Sequence, residues 1–192
     1  MIRFFALISR LKYIDRWALM KNSSNENLAE HSLETAVIAH ALCVIGNRRL
    51  GKSLAADHAA VLAMYHDTSE ILTGDMPTPV KYFNSDIKNV YKDIEAKAEH
   101  SLLEALPEDL REDYRPVFDV GEEYAYEKKL VKAADKLSAY IKCIEERKTG
   151  NREFENAEKS TLQGIIAMGL PEVNIYLDEC IPAYELNLDQ LK

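Results

Sequence analysis

Apolar residues recur along most of this chain at spacings of three and four, the period of a helix that buries one face. Ile2, Phe5, Leu7, Ile8 and Leu11 predict a short helix over residues 2–11, and the polar KNSSNEN stretch after Tyr13–Trp17 reads as a loop. A long helix is expected from Glu26 or Asn27 to about Ile45. Leu28, Thr35, Ile38, Leu42 and Ile45 form its stripe, and His31 lies near the start of that stripe. Gly46-Asn47 is expected to end it, and NRRLGKS reads as a basic loop. After Ser53 a further helix is predicted through AADHAAVLAMYHDTSEIL, with Ala59, Ala63, His66, Asp67 and Glu70 on one face. Gly74-Asp75 then turns the chain into a loop stiffened by Pro77 and Pro79.

Asn84 or Ser85 is placed to cap a helix from Asp86 to about Leu106. PEDLREDYRPVFD reads as a short helical piece bounded by Pro116, and GEEYAYEKK as loop-like at its start. A strong helix is predicted over Glu127–Lys148, with Leu130, Ala134, Leu137, Ile141 and Ile144 as its stripe. Asp135 sits beside that stripe, in line with Val131 and Ser138. Gly150-Asn151 ends it, and two more helices follow over Arg152–Met168 and Pro171–Tyr184, before a partly ordered ELNLDQLK tail. No stretch alternates with period two for long enough to make a strand. The expectation is one all-α domain, a bundle of seven or eight helices over residues 1–192.

Composition narrows the class. A net charge of −8 argues against a general nucleic-acid binder, which presents a basic face. Three cysteines without CxxC spacing (Cys43, Cys143 and Cys180) read as buried hydrophobes in a reducing compartment. The apolar run in MIRFFALISRL is too short for a membrane span or a signal peptide, so a cytoplasmic protein with no membrane association is expected.

The candidate chemistry centres on HDTSEILTGDMPTPV, residues 66–80. His66, Asp67 and Glu70 crowd one sector of a helix. Two other long helices offer His31 and Asp135 at the edges of their buried faces. Two imidazoles and two carboxylates make a mixed nitrogen and oxygen donor set, suited to Mn, Fe, Co, Ni or an open catalytic Zn site. Such an ion polarises a phosphoryl group and acidifies water. Each part also has a plain reading. His31 can be a core histidine, Arg16 a surface arginine, Trp17 a packing anchor and Asp75 a turn former. His40, His58 and His100 read as structural or surface residues, and Lys88–Glu99 as a solvated helix face.

The pattern H…HD…D, carried by RLKYIDRWALM, ENLAEHSLETAVIAHAL, LAMYHDTSEILTGDMPTPVKYFN and LVKAADKLSAYIKCIEE, resembles the HD-domain metal-dependent phosphohydrolases. It is most similar to their bacterial 5′-deoxynucleotidase branch. The resemblance covers Phe4 to Glu146, and the last 40 or so residues match only in helical character. It implies one divalent metal ion, cobalt, manganese or another transition metal, bound by His31, His66, Asp67 and Asp135, with His31, Asp67 and Asp135 also facing the substrate. Glu70 would be the acid/base carboxylate. Arg16 and Trp17 would orient the phosphate, and Asp75, Met76, Pro77 and Thr78 would line the sugar side. The substrate would be a deoxyribonucleoside 5′-monophosphate, and a homodimer is implied. Two alternatives stand beside this. One is an HD phosphohydrolase acting on a nucleoside triphosphate or a cyclic nucleotide. The other is a non-catalytic nucleotide sensor, which would have no use for Glu70.

Overall fold

The computed structural model describes residues 1–81 and 83–192, without the side chains of Thr78 and Pro79. Its α-helical segments are α1 Phe4–Ile8, α2 Leu28–Arg49, α3 Ala56–Tyr65, α4 Glu70–Thr73, α5 Thr78–Lys81, α6 Ser85–Glu104, α7 Glu108–Phe118, α8 Ala125–Lys148, α9 Glu155–Ile166 and α10 Pro171–Glu179. Short 3-10 turns cover Ser9–Tyr13, Glu122–Tyr124 and Ile181–Glu185. Among the described residues no strand forms, and the one β pairing is an antiparallel bridge between Asp15 and Asn27.

Packing centres on α2, α3 and α8. Ile38, Leu42, Ala59, Ala63, Leu130, Leu137 and Ile141 interlock there, and Val173 and Tyr176 of α10 cover them. A second cluster joins α1 to α6 and α7 through Phe4, Leu102 and Leu106, with the Phe4 and Tyr114 rings 5.1 Å apart. Leu7, Ile8 and Leu11 of the expected N-terminal stripe face inward, but Phe4 is buried in place of Ile2 and Phe5, which are exposed. A five-residue helix followed by a 3-10 turn does not keep a 3.6-residue register.

Local chemistry accounts for the helix starts. Asn27 Oδ1 accepts from the Ala29 and Glu30 amides while Glu30 reaches back to the Asn27 amide, a closed capping box. Asn84 Oδ1 accepts from the Ile87 amide.

Four expectations are corrected by the structure. Helix α2 continues through Gly46 to Arg49, because Gly46 is buried where the chain approaches α10. A Cβ there would meet Leu54 Cδ1 at 2.8 Å and Glu172 Oε1 at 2.9 Å, so the glycine serves close packing and not termination. Pro116 lies inside α7, and the helix runs on to Phe118. The carbonyl that loses its amide partner belongs to Glu112, an exposed residue in the middle of the helix. The helix predicted through residues 55–72 breaks after Tyr65. Thr68 Oγ1 takes the Tyr65 carbonyl at 2.7 Å and His66 Nδ1 takes the Ala63 carbonyl at 2.7 Å. The chain then steps through i→i+3 bonds from Thr68 to Tyr65 and from Glu70 to Asp67. Finally, α9 starts at Glu155 and α10 ends at Glu179, since Asn151 holds residues 151–153 in a turn and Cys180–Pro182 tightens into a 3-10 turn.

By length and composition α2 also passes as a membrane-crossing helix. Half of its apolar window is buried against the core, as in a central bundle helix.

Candidate active site

Four residues read from the sequence converge where α2, the turn between α3 and α4, and α8 meet. Asp67 Oδ2 stands 3.1 Å from His66 Nε2 and 3.5 Å from His31 Nε2, and Asp135 Oδ1 is 3.3 Å from His31 Nε2. Ligand atoms of His31, His66 and Asp67 all lie within 4.8 Å of one another, a spacing one ion can bridge. His31 is fully buried, whereas the Asp135 side chain is 40% exposed and marks the open side.

The second ring nitrogens explain why these imidazoles suit a cation. His66 Nδ1 faces the Ala63 carbonyl, which only accepts, so Nδ1 carries a proton and Nε2 is the nitrogen turned to the carboxylates. His31 Nδ1 is 3.0 Å from Ser138 Oγ, and that hydroxyl donates to Glu34 Oε2 at 2.6 Å. Ser138 therefore accepts from His31, which leaves Nε2 as the lone-pair nitrogen. Both Nε2 atoms are buried without a hydrogen bond among the described residues. Two imidazole Nε2 atoms facing two carboxylates fit a divalent cation, which would take the place of a proton there, and no closed thiolate site.

Charge holds this cluster together. Burial opposes the imidazolium form of His66, but the Asp67 and Asp135 carboxylates outweigh it and push His66 up to about 9. Burial likewise opposes ionised Asp67, yet the facing His66 and His31 rings hold it well below the usual carboxylate range. Asp135 is lowered against the same burial by His31 and His66. Glu70 has no cation so close. Burial, then the charges of Asp67 and Asp75, raise it to about 9, and its Oε2 is buried without a partner among the described residues.

Arg16 and Trp17 come from the segment between the first 3-10 turn and α2. Arg16 has a 12% exposed side chain, and its Nη1 is buried without a described partner. The Asp15–Asn27 bridge fixes this segment, with the Arg16 amide donating to the Glu26 carbonyl at 2.9 Å. Trp17 is the one described non-glycine residue with positive φ, at 58°. Its indole Nε1 donates to Glu26 Oε2 at 3.0 Å, and its ring centroid lies 5.2 Å from that of Phe154. Burial raises Asp75 and the Arg16 charge opposes that rise.

These residues border a cavity of about 570 Å³, lined by Arg16, Trp17, Leu19, Met20, Asp75, Met76 and Pro77 and by Ala157, Ser160 and Thr161 of α9. That volume is in the range of small-molecule sites. A smaller cavity of about 220 Å³ touches His66 and Asp135 and is bordered by Glu99, Lys128 and Lys132. The Thr78 side chain lies outside the described residues. His40 and His100 have carboxylate partners, Asp57 at 3.5 Å and Glu104 at 3.3 Å, but on the surface, and the His58 ring lies tilted against Tyr124 with centroids 4.1 Å apart.

Sequence reasoning did not single out Glu26, Glu34 or the α9 wall. Glu34 is three residues after His31 on one helix, a usable signal. Glu26 and α9 reach the site only through long-range packing.

Residues 3–184 match the family described as 5′-deoxynucleotidase YfbR-like. The chain belongs to that family. The match extends well past Glu146, so α9 and α10 are part of the family pattern, beyond the helical likeness the motifs suggested. A 5′-deoxynucleotidase of Vibrio atlanticus is 47% identical over 98% of this chain and 97% of its own. The 5′-deoxynucleotidase YfbR of Escherichia coli (strain SMS-3-5 / SECEC) is 48% identical over 98% of this chain and 94% of its own. Among solved structures, an HD-domain phosphohydrolase from Listeria innocua superposes with a TM-score of 0.80 at 22% identity, covering 98% and 94% of the two chains. A cyanophage S-2L HD phosphohydrolase, DatZ, bound to dA and one catalytic Zn2+ ion, gives 0.65 at 17% identity, with 92% and 95% covered. The fold is therefore the all-α HD fold, shared by family members and by more distant phosphohydrolases.

Proposed function

We infer that this chain is a metal-dependent phosphoric monoester hydrolase, a 5′-deoxynucleotidase converting a deoxyribonucleoside 5′-monophosphate and water to deoxyribonucleoside and phosphate. The observation that carries this reading is the pair of buried, unpartnered Nε2 atoms facing Asp67 and Asp135 in a chain of this family. His31, His66, Asp67 and Asp135 are the ligands of one divalent ion, cobalt, manganese or another transition metal. Bound there, the ion supplies Lewis acidity to the phosphoryl oxygens and to water.

The chain's own groups do the rest. Arg16 presents a planar fork to the phosphate and neutralises charge spreading over its oxygens. Glu70, buried beside the ligand cluster, exchanges the proton that leaves the water or arrives on the 5′-oxygen as the P–O5′ bond breaks. Trp17 walls the sugar where a 2′-hydroxyl would sit, and Asp75, Met76 and Pro77 border the sugar from the other segment. Asp75 offers a carboxylate oxygen to the 3′-hydroxyl. An apolar wall rejects an added hydroxyl only modestly, so Trp17→Phe is expected to lower the dAMP over AMP ratio of kcat/KM by up to about a hundredfold. Parallel kinetics on the two nucleotides check this.

The reading as a whole is tested by phosphate release from deoxyribonucleoside mono-, tri- and cyclic monophosphates, with metal analysis of protein purified without chelator. Release from the 5′-monophosphates with about one metal per chain is expected. Preference for a triphosphate or a cyclic nucleotide, or binding without turnover, would overturn it. We place all 192 residues in one HD domain, acting in the cytoplasm, where three unpaired cysteines are at home.

The homodimer has a physical candidate. Leu33, Val37 and Val44 line the outer side of α2 at 61%, 63% and 37% exposure, beside exposed Val61 and Met64 of α3. The His40–Asp57 contact joins the two faces edge to edge. A contiguous exposed apolar patch of this kind marks an interface. Leu33→Glu with Val37→Glu is expected to turn a dimer into a monomer in light scattering, and a wild-type monomer would overturn the assignment.

A further inference from the structure

Glu26 touches three functional parts at once. Its Oε2 accepts the Trp17 indole N–H at 3.0 Å and lies 3.8 Å from Arg16 Nε. Its Oε1 is 3.9 Å from His31 Nδ1, and its backbone carbonyl accepts from the Arg16 amide at 2.9 Å. The side chain is only 12% exposed. We propose that Glu26 is a positioning residue for deoxyribose selection, holding the Trp17 indole and the Arg16 guanidinium in one fixed arrangement. The proposal rests on the reading of Trp17 as the sugar wall and Arg16 as the phosphate fork.

The backbone supplies the independent observation. Trp17 sits at φ 58°, a region that a bulky aromatic residue rarely occupies. Such a conformation persists only where surrounding contacts over-determine it. The contacts here are the Met20 amide and the Asn22 side chain on the Trp17 carbonyl, Phe154 under the ring, and Glu26 on the indole. An indole has one hydrogen-bond donor, so the carboxylate that takes it decides which way the ring is turned. The same carboxylate faces Arg16 Nε, which leaves the buried Nη1 without a described partner and available to a phosphate. A hydrogen bond to an ionised acceptor is stronger and shorter than a neutral one, as befits an element that must hold a strained residue.

The test compares Glu26→Ala, Glu26→Gln and Trp17→Phe on dAMP and AMP, with kcat and KM separated, and records tryptophan emission. Trp17 is the sole tryptophan, so emission reports its indole directly. Glu26→Ala is expected to lower the dAMP over AMP ratio by about tenfold, the loss of one charge-assisted hydrogen bond, with a red-shifted emission. Glu26→Gln keeps an oxygen for the indole, so ratio and emission stay near wild type, and any change in KM from removing the negative charge beside Arg16 is shared by both nucleotides. A merely structural Glu26 would change both substrates alike in the alanine variant, with no dependence on the acceptor oxygen. If Glu26→Ala does not fold, Glu26→Asp, which draws the carboxylate back by one methylene, is expected to lose the ratio in the same way. A wild-type ratio and emission in Glu26→Ala or Glu26→Asp, while Trp17→Phe has lost its ratio, overturns the role of Glu26 alone. A wild-type ratio in Trp17→Phe overturns the sugar-wall reading, and this inference with it.

Discussion

Glu70→Gln is expected to lower kcat on dAMP by about 10²–10⁴-fold, the range for removal of a positioned general acid or base. The substitution keeps the shape of the side chain and removes its ability to exchange a proton. Glu70 is 6% exposed, begins the short helix α4 directly after the ligand-bearing turn, and has an oxygen with no described partner. A buried carboxyl in that state has no evident structural task, since nothing among the described residues depends on that oxygen. Burial and the charges of Asp67 and Asp75 raise its acid to about 9, so the group is ready to hold a proton, and a cation on Asp67 draws that value back down. Because Glu70 is outside the donor set, the variant is expected to bind metal as wild type does. Steady-state kinetics with metal analysis of the same preparation check both parts. A Glu70→Gln enzyme within about threefold of wild type would remove the acid/base assignment, well short of the loss general acid/base catalysis implies.

Lys142→Met is expected to destabilise the fold by about 3–5 kcal/mol, the range for breaking one side of a buried ion pair. Lys142 and Glu146 have side chains only 3% and 1% exposed, with Nζ 2.5 Å from Glu146 Oε1. The pair is tied to the segment that leads from Trp17 to α2. Lys142 also donates to the Ser24 carbonyl at 2.6 Å, and Glu146 accepts from the Ser23 amide at 2.8 Å and from Asn151 Nδ2 at 2.7 Å. Removing the ammonium leaves a buried carboxylate with amide donors alone. Burial opposes ionised Glu146, but Lys142, Asn151 and Ser23 outweigh it and lower the acid from 4.5 to about 2. A folded-state value below the unfolded one gives stability that is present above about 4.5 and lost as pH falls towards 2. Denaturant melts of wild type and Glu146→Gln between pH 6 and about 2.5 are expected to converge as acid removes what the carboxylate contributes. A Lys142→Met protein as stable as wild type at pH 7 would show that this lock does not hold the segment.

The parts of this molecule that were legible in the sequence are those decided by one element at a time. The 3.6-residue period gave α6 and α8 close to their observed limits and α2 close to its observed start, and it put His31 and Asp135 at the edges of buried faces. Asn84 announced one helix start as a cap, and the start of α2 fell next to the Glu26–Asn27 pair read from the sequence. What failed depended on partners far along the chain. Gly46 resembles a terminator until Leu54 and Glu172 are seen pressed against it. His66 and Asp67 looked like members of one continuous helix, yet side chains capture the Ala63 and Tyr65 carbonyls and turn the pair towards His31. Glu26 has no signature at all. Its role arises because the Asp15–Asn27 bridge folds the Arg16–Trp17 segment back onto it and because Glu146, over 120 residues away, anchors Ser23.

Phosphate release from dAMP and AMP, measured side by side with cobalt or manganese added and with chelator, tests metal-dependent 5′-deoxynucleotidase activity directly. Metal-dependent release that is faster from dAMP, and absent with chelator, is the predicted result. Equal rates would leave the hydrolase in place without the role given to Trp17. Release that survives chelation, or no release with any divalent metal, would contradict the central claim.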